Sequence, residues 1–138
     1  MIGYITVGAD NVPLAERFYS AFLPSLGYSL DVSPEGLSYS LPGTPAENHQ
    51  PADFYVKPPY DGQAASVGNG TMVAFQVTVQ SLVAELHAAA LVAGGRNEGS
   101  PGFRSEYSAH FYVGYLRDPQ GNKIALFCNN RDEPKRPN

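Results

Sequence analysis

The chain has 138 residues, a formal net charge of −4, and 43% hydrophobic against 16% charged residues, which suits one folded domain with its own core and excludes a disordered chain. No basic patch stands out and the isoelectric point is about 5.2, so nucleic acid is not expected as a partner. A single cysteine excludes an intrachain disulfide and a cysteine-built metal centre; no apolar run approaches the ~18 residues of a membrane span and the start lacks a signal-peptide pattern, so a cytoplasmic protein with no membrane partner is expected.

Residues 3–7 alternate as a strand should. Asp10 and Asn11 then offer a helix cap, with Pro13 suited to the first turn. Leu14, Phe18 and Phe22 recur every four residues and Leu26 completes the stripe, which predicts one buried helical face. Pro24 loosens or kinks the last turn, and Gly27 ends it. Strands are expected at 28–32, 37–41 and 53–57, with a loop rich in Pro, Asn and Gly over 42–52. His49 lies in that loop and is expected to be exposed. Residues 58–70 read as a linker.

The pattern then restarts. Residues 71–77 form a strand, Ser81 can cap a helix, and Leu82, Leu86, Ala89, Ala90 and Ala93 share one face of it. His87 lies off that face and is expected in solvent. Gly94-Gly95 stops the helix. Tyr4 maps to Met72, Leu14 to Leu82, Phe18 to Leu86 and Gly27 to Gly95, each 68 residues later and without a gap. Such a constant offset through strand, loop and helix indicates two copies of one βαβββ unit. Module one covers 1–60, the linker 58–70, module two 71–129 and a tail 130–138.

Residues 112–127 read as two strands joined by a tight turn. Asp118 opens the turn, Pro119 presets its φ, and Gly121-Asn122 tolerate positive φ. With Arg117 opposite Lys123, Tyr115 faces Ala125 and Val113 faces Phe127 on one side of the sheet. Leu116, Ile124, Leu126 and Cys128 fall on the other side, where Cys128 serves as a small hydrophobe. Ile5 and Val7, and Val73, Phe75 and Val77, join this second, helix-covered side. The opposite faces carry Tyr4 and Thr6, Met72, Ala74 and Gln76, and Lys123, Ala125 and Phe127. Lys123 borders the turn and is expected to reach solvent. The fold class is α+β: two βαβββ modules forming an eight-stranded curved mixed sheet with helices on the outer face. Neither module can bury its sheet alone, so the two pack together or exchange across a homodimer. The concave side has the make-up of a small-molecule pocket.

At Phe18-Tyr19, Leu26-Gly27-Tyr28, Gly70-Thr-Met-Val-Ala-Phe75 and Tyr115-Leu-Arg-Asp-Pro-Gln-Gly-Asn-Lys-Ile124 the sequence resembles the vicinal oxygen chelate superfamily, which holds glyoxalase I, extradiol dioxygenases and bleomycin-resistance proteins. The resemblance covers nearly the whole chain. It implies metal ligands on the concave face: His or Gln on the first strand, His or Glu on the fifth, Glu on the eighth, and often one from the fourth. Here those positions hold Tyr4, Met72 and Ala125, and the fourth strand offers only Tyr55 or Lys57. A thioether and a methyl do not replace oxygen or imidazole donors, and a neutral phenol is a poor substitute. The expected cofactor is therefore none. Gly102-Phe-Arg104-Ser-Glu106-Tyr107 also matches a pattern of short relatives. Their following His falls at Ser108 here, with His110 the nearest imidazole.

The candidate ligand-binding residues are Tyr4, Thr6, Tyr39, Tyr55, Met72, Gln76, Arg104, Tyr107, His110, Tyr115 and Ala125. Arg104 suits a carboxylate or phosphate, or pairs with Glu106 or Glu98 in the loop. His110 has the free pKa of an acid or base but no visible orienting partner. Tyr107 donates to a ligand or pins its loop by packing. The tyrosines wall the pocket or fill it. No phosphate-cradling Gly-rich loop, Gly-x-Ser-x-Gly elbow or His-Glu-x-x-His is present. The expected function is binding of a small, partly aromatic or anionic molecule in a metal-free concave pocket. Two alternatives stand beside it. One is a lyase or dioxygenase of the same superfamily using an atypical metal site or Tyr/His acid–base chemistry. The other is a dimerisation scaffold with a filled cavity. Catalysis is left open.

Overall fold

The computed structural model describes residues 1–43, 46 and 48–138. Thr44, Pro45 and Glu47, within the loop expected over 42–52, lie outside the described residues. Module one contributes β1 (Tyr4–Gly8), α1 (Val12–Tyr19), β2 (Ser29–Ser33), β3 (Gly36–Ser40) and β4 (Asp53–Lys57). Module two contributes β5 (Met72–Gln76), α2 (Gln80–Val92), β6 (Arg96–Phe103), β7 (Tyr112–Arg117) and β8 (Lys123–Cys128). β1 and β5 begin 68 residues apart, and so do α1 and α2. Beyond the helices the offset drifts: β6 starts 67 residues after β2, β7 76 after β3 and β8 70 after β4. The left-handed glycine after α2 is Gly94 (φ 103°), one residue before the counterpart of Gly27 (φ 95°). Among the described residues no helix is long and apolar enough to cross a membrane.

Each module makes its own four-stranded sheet, in the orders β1-β4-β3-β2 and β5-β8-β7-β6. In each, the first strand runs parallel to the last, with Tyr4 opposite Asp53 and Met72 opposite Lys123. The remaining pairs are antiparallel. The hairpin register is as expected: Arg117 faces Lys123, Tyr115 faces Ala125 and Val113 faces Phe127. The two-module reading requires a strand between α2 and residue 112 but gives it no bounds. β6 forms there as an edge strand, where Pro and Gly are tolerated, and meets β7 through two register shifts.

The helix-facing sides of the two sheets share one core. Leu37, Tyr39, Phe54 and Val56 of module one join Phe75, Ile124, Leu126 and Cys128 of module two. Phe75 is the junction, its ring edge-on to Phe22 at 5.9 Å, Tyr28 at 5.9 Å and Phe54 at 5.2 Å. The other face of the first sheet carries exposed Tyr4, whereas that of the second buries Val113 and Ala125.

The expected stripes are buried in part: Phe18, Phe22, Leu86, Ala90 and Ala93 face inward, while Leu14 does not. Asn11 does cap α1, its Oδ1 accepting the Leu14 N–H at 3.1 Å. The helix then closes at Tyr19, and Pro24–Leu26 forms a separate short 3-10 turn. Ala15, Phe18 and Tyr19 face inward while Leu14 is exposed. A strict four-residue repeat overshoots each turn by about 40°, so its first member rotates off the buried face. In α2 the buried residues are Val83, Leu86, His87 and Ala90. Ser81 does not cap it; the N-cap is Val79, with no side-chain bond.

His87 is thus a core residue, only 3% exposed, and not a solvated one. Its Nε2 lies 3.0 Å from the Tyr115 carbonyl oxygen, and its ring occupies the space beside Gly114. A methyl at Gly114 would stand 2.8 Å from His87 Cδ2. Gly114→Ala is therefore expected to cost about 1–3 kcal/mol. A lower urea midpoint at unchanged m-value would show it; an unchanged midpoint would show that the contact yields freely.

The β7–β8 turn reaches into module one. Asp118 is 1% exposed and its carboxylate accepts from four donors: Tyr19 Oη at 2.5 Å, the backbone N–H of Gly121 at 2.9 Å and of Asn122 at 2.8 Å, and Asn122 Nδ2 at 2.9 Å. Asn122 Nδ2 also donates to Gly8 O at 2.8 Å. Gln120 Oε1 accepts the Asp10 N–H at 2.8 Å. Gly121 takes φ 106° to let the turn close. The motif acts as a clasp between modules.

Candidate functional site

On the outer face of the first sheet, Tyr4 and Thr6 of β1, Ser38 of β3, Tyr55 and Lys57 of β4, and Glu35 before β3 line a hollow of about 360 Å³. The period of two along each strand turns these side chains to one side. The Tyr4 and Tyr55 rings lie 5.5 Å apart. Tyr55 Oη donates to Asp53 Oδ2 at 3.2 Å. Loss of solvent, and then the Asp53 carboxylate, hold the Tyr55 phenol above its ordinary pKa. Asp53 Oδ1 is buried and has no partner among the described residues.

On the second sheet, Met72 and Tyr115 meet Glu106, Tyr107, Ser108 and Phe111 around a hollow of about 480 Å³. Tyr107 stands edge-on to Phe111 at 5.5 Å, and Phe111 stacks on Phe127 at 5.6 Å. The Arg104 guanidinium lies 5.5 Å from the centre of the Tyr115 ring, and Lys123 Nζ lies 5.1 Å from it. Lys123 therefore covers an aromatic ring and does not simply reach solvent. Arg104 pairs with neither Glu98 nor Glu106 but donates from Nη2 to Ser100 O at 2.9 Å and from Nη1 to Phe103 O at 3.2 Å. Burial pushes the Tyr115 phenol up. Backbone N–H donation and the Ser105 hydroxyl hold Glu106 down. Arg117, bonded at 3.1 Å, does the same for Glu98.

Several expected site residues lie elsewhere. Tyr39 belongs to the core and not to the wall of the hollow: it shares the helix-facing side of β3 with Leu37, is fully buried, and its hydroxyl meets Ser20 Oγ at 2.9 Å. Burial raises its phenol pKa to about 12. Ala125 is buried opposite Tyr115, and Gln76 Nε2 turns to Asn129 Oδ1 at 3.1 Å. His110 lines neither hollow, and its Nδ1 is buried without a partner among the described residues. Ser38 and Phe111 were missed, and Glu106, expected as a partner of Arg104, lines the second hollow instead. Ser38 was legible, since period two from Leu37 and Tyr39 places it outward. Phe111 and Glu106 sit in an irregular loop that carries no periodic signal.

Neither hollow takes residues from both sheets. Tyr4 and Met72, expected on one cup floor, are 66% and 44% exposed on separate sheets. β1 and β5 are both edge strands.

No family model and no curated protein matches the chain. Solved structures do. A glyoxalase/bleomycin resistance protein from Albidiferax ferrireducens T118 is 32% identical across 93% of this chain and 98% of that one, with a TM-score of 0.77. This chain belongs to the glyoxalase/bleomycin resistance protein family. A glyoxalase-related enzyme from Fulvimarina pelagi (18% identity, 94% of this chain and 88% of that one, TM-score 0.69) and a lactoylglutathione lyase from Agrobacterium tumefaciens (16%, 93% and 92%, 0.60) share its fold. Like them, this glyoxalase/bleomycin resistance family member carries the two-module vicinal oxygen chelate architecture.

The divalent ion that enzymes of the superfamily use does not fit the side chains present. The three donor positions hold a phenol, a thioether and a methyl. Asp53 is a single carboxylate beside Tyr4. Among the described residues no three His, Cys, Asp or Glu side chains converge. Oxygen- and nitrogen-bound divalent ions need about three or more such donors.

Proposed function

We propose that this glyoxalase/bleomycin resistance family protein binds a small aromatic anion without a metal, in cups completed by a second copy of itself. The observation that carries the reading is the Tyr115 ring, set at the side of an aromatic hollow with Arg104 and Lys123 on it. An aromatic ring lined by cations, beside the apolar Met72, Phe111 and Tyr107, complements a flat molecule carrying a carboxylate. On the first sheet Tyr4 and Tyr55 add rings and Lys57 adds a cation. Exposed apolar side chains on two edge strands support a homodimer that sets sheet one of one copy against sheet two of the other.

Three measurements on the purified protein test this. Light scattering is expected to give twice the chain mass. Metal analysis without chelator is expected to find no stoichiometric metal. A thermal-shift screen of aromatic carboxylates, 1-naphthoate among them, is expected to raise Tm by about 10 °C at ~100 Kd. Tyr115→Ala is expected to remove most of that shift. Stoichiometric zinc, nickel, manganese or iron in the cup would overturn the metal-free reading. A library in which no anion moves Tm would overturn the ligand class.

A further inference from the structure

The segment that follows β8 doubles back across module two. Asn130 Nδ2 donates to Thr78 O at 3.0 Å. Glu133 Oε1 accepts the backbone N–H of Gln80 at 2.6 Å, and Gln80 Nε2 donates to Pro134 O at 2.7 Å. Glu133 thereby supplies α2 with the acceptor that its own N-cap lacks.

Beyond this anchor the segment meets the loop between β6 and β7. The Arg136 backbone N–H donates to Ala109 O at 2.7 Å. Its Nη1 donates to Arg104 O at 2.7 Å and to Tyr107 O at 2.9 Å. One half-buried arginine thus gathers three carbonyls of a single loop. Within the loop the bonds are few and short-range: the Tyr107 N–H reaches Arg104 O at 3.2 Å, the Phe111 N–H reaches Ser108 O at 3.0 Å, and Ser105 Oγ donates to Glu106 Oε2 at 3.0 Å. Yet it carries Glu106, Tyr107, Ser108 and Phe111, two-thirds of the side chains around the second hollow. An irregular segment with so few internal bonds samples many conformations unless something outside holds it.

We propose that Arg136 is a positioning residue of the second hollow: its contacts with the carbonyls of Arg104, Tyr107 and Ala109 hold Tyr107 and Phe111 in place beside Met72 and Tyr115. The proposal rests on reading that hollow as the binding site. The side chain suits the task because one charged nitrogen, Nη1, donates to two carbonyls at once. Arg136 touches no ligand position and acts only through the loop.

The test uses the full chain without ligand. Arg136→Ala is expected to speed amide exchange of Tyr107 and Phe111 by roughly 10–100-fold and to move the ring-current-shifted resonances of Phe111 and Phe127. The urea midpoint should barely change, since the Glu133 anchor remains. Arg136→Lys should keep most of the protection, because an ammonium can reach the same carbonyls. Glu133→Ala should do the reverse, lowering the midpoint without selectively loosening the loop. Unchanged loop exchange and aromatic shifts in Arg136→Ala would overturn the proposal. So would loosening spread evenly over the protein. Both readouts are taken on unliganded protein, so they decide the role of Arg136 by themselves. Failure of the binding-site reading would show separately, as wild-type protein that ignores 1-naphthoate.

Discussion

Asp118→Ala is expected to destabilise the fold by about 3–5 kcal/mol, the range for removing one partner from a buried charged network. The reason lies in what stays behind. Without the carboxylate, the Tyr19 hydroxyl and the Asn122 backbone N–H lose their acceptor, while the Gly121 N–H keeps Asp118 O and the Asn122 amide keeps Gly8 O. Tyr19 belongs to α1, and Asn122 also holds Gly8 at the end of β1. The loss therefore falls on the joint between modules as well as on the turn. At this chain length it corresponds to a fall in Tm of roughly 10–20 °C. Tyr19→Phe removes one bond and leaves the turn closed, so about 1–2 kcal/mol is expected there. A loss under about 1 kcal/mol for Asp118→Ala would mean that the clasp contributes little and that the Phe75 contacts alone join the halves.

The turn motif illustrates how much was legible. Asp-Pro-Gln-Gly-Asn announced a tight turn through local chemistry alone: a side chain that bonds its own backbone, a fixed φ, and a residue free to take positive φ. Strand parity was legible for the same reason, since alternation needs no knowledge of partners. The register of β7 on β8 and the division into core and outer faces both followed. Tyr39 is the exception. It was expected to wall the pocket with its ring, whereas its alternation with Leu37 along β3 turns it inward. Ser20, distant in sequence, satisfies its hydroxyl inside the core. His87 was misplaced by one helical position, because a stripe of Leu and Ala in a generally apolar helix leaves its phase poorly marked. Gly114 offers the gap that receives the imidazole, and no local pattern announces such a gap. The loop at 104–111 and its anchor Arg136 were illegible for a third reason. Their shape is set by backbone carbonyls meeting a distant guanidinium, and carbonyls are the same in every sequence.

Raising the pH above about 10 is expected to unfold the protein through its buried tyrosines. Burial, and then Asp118, hold the Tyr19 phenol well above its ordinary value. Burial raises that of Tyr39 from 10.0 to about 12. In both cases the folded state keeps a proton that the unfolded chain releases near pH 10. Their contribution is therefore complete below about pH 10 and is lost as pH climbs toward the folded values. Each tyrosine removes about 1.4 kcal/mol per pH unit within that window. Tyr39 then removes about 2–3 kcal/mol by pH 12, and Tyr19 acts in the same direction, out of a typical total of about 5–15 kcal/mol. Urea midpoints measured from about pH 8 to 12 should stay level and then fall with a slope of nearly two protons. The tyrosinate absorbance should show exposed tyrosines titrating smoothly, followed by a cooperative step as the buried pair ionises with unfolding. Tyr39→Phe should lower stability at neutral pH, by freeing Ser20 from its partner, yet reduce the alkaline slope by one proton. A single smooth titration of all nine tyrosines on a still-folded chain would refute the burial argument. It would also loosen the case for the clasp, since one of the two buried hydroxyls is the one that Asp118 holds.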